Sequence, residues 1–90
     1  MPNSPDRAVV FQREFREDLR FWAKRDRKVA LRILELVDLI LRNPVEGGGK
    51  PEALRHGLVG AWSRRITQEH RLVYRVAEER IDFLQARYHY

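Results

Sequence analysis

Gly60-Ala61-Trp62-Ser63-Arg64-Arg65-Ile66-Thr67, His70-Arg71-Leu72-Val73-Tyr74-Arg75-Val76-Ala77 and Arg80-Ile81-Asp82-Phe83-Leu84-Gln85-Ala86-Arg87-Tyr88 are three successive stretches of alternating apolar and polar residues. A period of two marks strands with one buried face. Only Gln68-Glu69 and Glu78-Glu79 separate them, and links that short join antiparallel neighbours. On strand parity, Trp62 and Ile66, then Leu72, Tyr74 and Val76, then Leu84, Ala86 and Tyr88 are expected to face a core. Ser63, Arg65 and Thr67, Arg71, Val73 and Arg75, and Gln85, Arg87 and His89 fall on the opposite face. Arg64 and Asp82 break the alternation and are expected at a strand edge or near a turn.

Working back toward the N-terminus, Asn43-Pro44 ends a helix expected over roughly 27–41. Val29, Ile33, Leu36, Val37 and Ile40 form its stripe, widened by Leu34 and Leu41. Before it, Phe11, Phe15, Leu19 and Trp22 recur at helical spacing, with Arg13, Glu14, Arg16, Glu17, Asp18 and Arg20 on the other side. The two segments predict an α-hairpin. Ala8–Phe11 opens the chain as a short strand, and residues 1–6 are expected to be a loose tail. Glu46-Gly47-Gly48-Gly49-Lys50 is read as a flexible connector without the spacing of a P-loop. Pro51–Gly57 resembles one helical turn, with proline at its start and glycine past its end. The expected order is β-α-α-β-β-β: an α+β fold with two helices on one face of a mostly antiparallel four-stranded sheet.

Ninety residues suit one domain spanning 1–90. With 43% hydrophobic and 34% charged residues, the composition is that of a folded chain with a wet surface. There are no cysteines, which excludes disulfides and thiolate metal sites and fits a reducing cytoplasm. No apolar run reaches the roughly 20 residues of a membrane span, and the N-terminal residues lack the apolar stretch of a signal peptide. A cytoplasmic location is expected.

Eighteen Lys and Arg oppose 13 Asp and Glu, a formal net charge of +5. Such an excess suits an anionic partner, nucleic acid first, although an acidic protein would also fit. Arginine is the favoured cation; its planar fork binds phosphate in bidentate fashion and stacks on bases. The face carrying Arg65, Arg71, Arg87 and His89 is richer in arginine than an ordinary solvated sheet face. His56 and His70 are not spaced as a metal pair, so no metal or other cofactor is expected.

Lys50-Pro51-Glu52, Leu54 and His56, then Trp62–Thr67 and Glu69–Tyr74, and finally Arg87-Tyr88-His89-Tyr90 resemble the YoeB branch of the RelE/ParE toxins. The likeness runs from about Val10 to the end, and its specificity lies in the order and spacing of three motifs. The resemblance implies a bacterial toxin that binds the ribosomal A site, cleaves the messenger RNA there and is silenced by a YefM/Phd-type antitoxin. It implies Glu52 as general base, Arg71 as the transition-state arginine, Arg65 as a phosphate ligand, His89 as general acid, and Tyr90 as a positioning or base-contacting residue. Arg55, His56, Arg64 and Arg87 are further expected RNA contacts, with Arg64 equally suited to the antitoxin. The chain departs from the pattern at Arg55, where many relatives carry lysine, at Gly47-Gly48-Gly49, and at Ala53 in place of a common proline. Each is expected to bear on ribosome docking or rate.

Metal-independent RNA cleavage needs a base for the 2′-hydroxyl, an acid for the departing 5′-oxygen and cations around the phosphate. Glu52, His89 and Arg71 with Arg65 satisfy that chemistry on paper, and the products are a 2′,3′-cyclic phosphate and a 5′-hydroxyl. Each acid–base group supplies only about 10²–10⁴ in rate, so the ribosome is expected to contribute positioning and naked RNA to be a poor substrate. Two other readings fit the same fold: a ParE-like toxin that binds DNA gyrase without cutting, and an RNA-binding module without catalysis. The antitoxin is expected to bring a segment, disordered when free, that folds over the basic face; a homodimer is also compatible.

Overall fold

The computed structural model describes residues 7–54 and 59–88. The tail expected over 1–6 lies outside them. Among the described residues, strand β1 (Ala8–Phe11) leads into helices α1 (Arg13–Arg25) and α2 (Arg27–Arg42), followed by strands β2 (Glu52–Ala53), β3 (Ala61–Arg65), β4 (Arg71–Val76) and β5 (Arg80–Gln85). The five strands form one sheet in the order β1-β5-β4-β3-β2. Only the β1–β5 pair is parallel. The class expected from the sequence stands, with one strand more than the four anticipated.

Both helices begin and end for local reasons. Glu14 sits in the first turn of α1 and Lys24 and Arg25 in the last, each sign opposing the helix dipole. Asp26, extended at φ −150°, separates the helices: its amide bonds to the Trp22 carbonyl while its own carbonyl accepts from Val29 and Ala30. Asn43 is extended in turn, as the residue before a proline prefers, and α2 stops there. Ile33, Leu36 and Ile40 of α2 are fully buried with Phe15, Leu72, Tyr74, Ile81 and Phe83. Each such side chain contributes about 1.5–3 kcal/mol by leaving water.

Two corrections follow, one to strand parity in β5 and one to the polar side of α1. Ile81 and Phe83 of β5 face the helices, and Leu84 does not. The register jumps between Tyr74↔Phe83 and Val73↔Gln85, so Leu84 is an extra residue in a β-bulge. That insertion resets the alternation and returns Ala86 to the core. The second correction is Asp18, which the helical pattern put on the polar side but which is buried. Its carboxylate accepts from the Ala86 amide at 2.9 Å, and the Trp22 indole, one turn on, donates to the Ala86 carbonyl at 2.8 Å. The two side chains of α1 thereby hold the chain just past the end of β5.

Candidate functional site

On the sheet face away from the helices, adjacent strands bring three side chains together. Register pairs Glu52 with Ser63 across β2 and β3, and Arg65 with Arg71 across β3 and β4. Arg71 reaches diagonally: its Nε donates to Ser63 Oγ at 2.9 Å and an Nη to Glu52 Oε1 at 3.3 Å. The guanidinium is nearly buried, whereas the Glu52 side chain is 69% exposed. Arg65 beside them is exposed. A concavity of about 410 Å³ continues the same face over Ala61, Val73, Leu84 and Gln85 toward Gln12–Glu14.

Sequence reasoning left Glu52 in a helical turn, outside the strands. It lies in a two-residue strand, and the edge pairing with β3 carries it to Arg71. Two residues are too few to show an alternation, so periodicity had nothing to register. Ser63, placed on the open face by parity but given no role, proves to be what orients Arg71. Its signal was its parity with Arg65: once Arg65 pairs with Arg71, Ser63 falls on the diagonal beside it.

The other expected site residues divide. Arg64 is a correction: it is fully buried among the core side chains on the helix side of β3 and cannot meet a phosphate there. Its Nε donates to the Tyr74 hydroxyl at 3.1 Å, one Nη to the Gly48 carbonyl at 3.1 Å, and the other to the Asn43 and Glu46 carbonyls. Thus Arg64 keeps strand parity with Trp62 and Ile66 and lies neither at an edge nor in a turn. Arg87 is also redirected: its guanidinium lies 3.6 Å from the centre of the Phe21 ring of α1 rather than facing away from the helices. Arg55, His56, His89 and Tyr90 lie outside the described residues.

The approach to the C-terminus is nevertheless fixed as far as Tyr88. The Arg71 amide donates to the Tyr88 carbonyl at 3.0 Å, and the Tyr88 amide donates to His70 Nδ1 at 2.7 Å. His70 packs edge-on against Trp22 with ring centres 4.8 Å apart. Residue 88 is therefore hydrogen-bonded to the first residue of β4, the one that carries the Arg71 side chain.

Burial raises the Tyr74 phenol above the ordinary tyrosine range, and the hydrogen bond and charge of Arg64 draw it part of the way back. Among the described residues, no group of three His, Cys, Asp or Glu is arranged to hold a metal ion. No described helix is long and apolar enough to cross a membrane.

Two helices over one face of a mixed sheet, with a carboxylate and arginines on the other, define a RelE-like α+β fold with a basic open face. Residues 11–90 match the family model of the YoeB-like toxins of bacterial type II toxin–antitoxin systems, and the chain belongs to that family. Toxin YoeB of Mycobacterium bovis is 51% identical over 84 residues, 93% of this chain and 99% of that protein. The YoeB dimer from Staphylococcus aureus superimposes with a TM-score of 0.85 at 41% identity, over 94% of this chain and 99% of that one. YoeB in the heterotetrameric YoeB–YefM complex from the same organism gives 0.81 at 41% identity, over 93% and 98%.

Proposed function

We propose that this toxin is a metal-independent endoribonuclease that cleaves messenger RNA in the ribosomal A site and so stops translation. The observation that carries the reading is Arg71, held by Ser63 and ion-paired with Glu52 on the open basic face. Glu52 removes the proton from the ribose 2′-hydroxyl. The 2′-oxygen attacks the adjacent phosphorus, Arg71 and Arg65 stabilise the charge on the phosphoryl oxygens, and His89 gives its proton to the leaving 5′-oxygen. The bond from phosphorus to the 5′-oxygen breaks as the 2′-oxygen bond forms, leaving a 2′,3′-cyclic phosphate and a 5′-hydroxyl. Arg55, His56, Arg87 and Tyr90 are proposed RNA contacts, Arg87 by way of its outer edge, since its face is stacked on Phe21.

Resting geometry favours this chemistry. An ion pair with one partner mostly exposed is worth only about 0–1 kcal/mol. An incoming phosphate can therefore take the guanidinium from Glu52 at little cost, and the carboxylate is released beside the ribose. The Tyr88 carbonyl accepts from the Arg71 amide, on the strand that bears the clamp.

By analogy with the S. aureus complex and dimer, the partners are a YefM-type antitoxin and a second toxin chain. The deciding experiment is in vitro translation with mapping of mRNA 3′ ends. Wild type is expected to cut within the A-site codon, and His89→Ala and Glu52→Gln to cut there at rates lower by about 10²–10⁴. Native-rate cleavage by either variant removes that residue from its role.

A further inference from the structure

Glu52 stands at the sheet edge on a strand of two residues, and its only described side-chain partner is Arg71. Its position is therefore set by backbone, above all by the loop of residues 43–51 that delivers it. That loop, which the glycine run marks as flexible, is wrapped on the Arg64 guanidinium. Three of its carbonyls, those of Asn43, Glu46 and Gly48, accept from Arg64. A fourth, that of Pro44, accepts from the Tyr74 hydroxyl at 2.6 Å, and a fifth, that of Gly49, from the Arg65 amide at 2.7 Å. Gly47 and Gly49 have φ of +120° and +86°, and a Cβ on Gly47 would stand 3.2 Å from an Arg64 Nη. Only glycine lets the chain turn this tightly against the guanidinium.

We propose that Arg64 is a positioning residue for Glu52, acting from the opposite face of the sheet through this loop. The inference rests on the reading of Glu52 as the base. Arg64 is flanked in β3 by Ser63, which pairs with Glu52 and orients Arg71, and by Arg65, whose amide holds the end of the loop. One buried guanidinium thus sets the spacing between base and phosphate clamp. In acid–base catalysis a misplacement of about 1 Å costs roughly a hundredfold.

The test is a double-mutant cycle on translating ribosomes, with kcat and KM measured for wild type, Arg64→Lys, Glu52→Gln and the double variant. Arg64→Lys keeps the charge but cannot span all of its acceptors. It is expected to lower kcat about tenfold to a hundredfold, leave KM within about twofold, and add no loss on top of Glu52→Gln. A residue that only maintained the fold would lower the rate by the same factor in both backgrounds, and that result, or an unchanged kcat, overturns the proposal. Native-rate cleavage by Glu52→Gln alone removes the base assignment and the positioning role with it, and is read separately in the single variant. Should Arg64→Lys fail to fold, Tyr74→Phe frees the Pro44 carbonyl and removes one acceptor of Arg64 while keeping the guanidinium and its three carbonyl bonds. It is then expected to lower kcat severalfold in the wild-type background only, with faster hydrogen exchange at the Arg65 amide; equal losses in both backgrounds, or no loss, overturn the proposal.

Discussion

Arg64 and Arg71 lie on neighbouring strands, both nearly or fully buried, and they do opposite things. Arg64 faces the helices and spends four hydrogen bonds on three carbonyls and a phenol. One of those carbonyls, that of Asn43, belongs to the C-cap of α2, where the helix dipole favours a cation. Arg71 faces outward and makes two bonds to described side chains, a serine and a mostly exposed carboxylate. An arginine whose donors are consumed by backbone carbonyls is fixed in place. One whose ionic partner is a solvated carboxylate can exchange that partner for a phosphate. The difference comes from strand parity and surroundings, since the residue type is the same.

The comparison breaks first at Arg64. Arg64→Met leaves three carbonyls and a hydroxyl without their donor, and at about 1–3 kcal/mol per orphaned group it should cost about 3 kcal/mol or more. Denaturant unfolding measures that loss directly. Arg71→Lys should do the reverse. It keeps the fold within about 1 kcal/mol but loses roughly 10²–10³ in kcat, because an ammonium cannot hold Ser63 and a phosphate in one planar fork. If instead Arg71→Lys unfolds the protein while Arg64→Met does not, the two assignments are inverted.

Smaller changes sharpen the distinction. Ser63→Ala removes one hydrogen bond to a charged group and should slow cleavage by about tenfold, with a melting temperature lowered by only a few degrees. At Tyr74 the effect is one of pH. The folded state holds the phenol proton more tightly than the unfolded chain does, so its share of stability is present below about pH 10 and disappears as pH rises through the raised folded value. Tyr74→Phe should flatten that alkaline loss, as seen in thermal melts run from pH 8 upward, while leaving Arg71 untouched.

The elements with a long period were readable from the sequence. Both helices and the three long strands announce themselves because each repeats its pattern several times against one core. What the sequence hid was decided by single residues. Leu84, one residue inserted in a bulge, exchanged the inward and outward positions of β5. Arg64 reads as surface because arginine usually is, although it holds the same parity as Trp62 and Ile66. Its clue was the adjacent glycine-rich loop, a ready supply of carbonyls with no helix or strand to bond them. Glu52 was known from its motif, but its contact with Arg71 depends on a two-residue edge pairing with no pattern of its own. Arg65 and Arg71 fell on one face as parity requires.

Trp22 has an optical consequence. The chain has two tryptophans, Trp22 and Trp62, and among the described residues only Trp22 hydrogen-bonds to the segment 86–88. Its indole N–H rests on Ala86, and its ring meets His70, which in turn receives the Tyr88 amide. Whatever lifts that segment from the sheet wets the indole and moves its emission to longer wavelength. In a Trp62→Phe background the protein is therefore its own fluorophore-labelled sensor. Its colour reports whether residues 86–88 are seated, at equilibrium or in a stopped-flow trace, without any added dye.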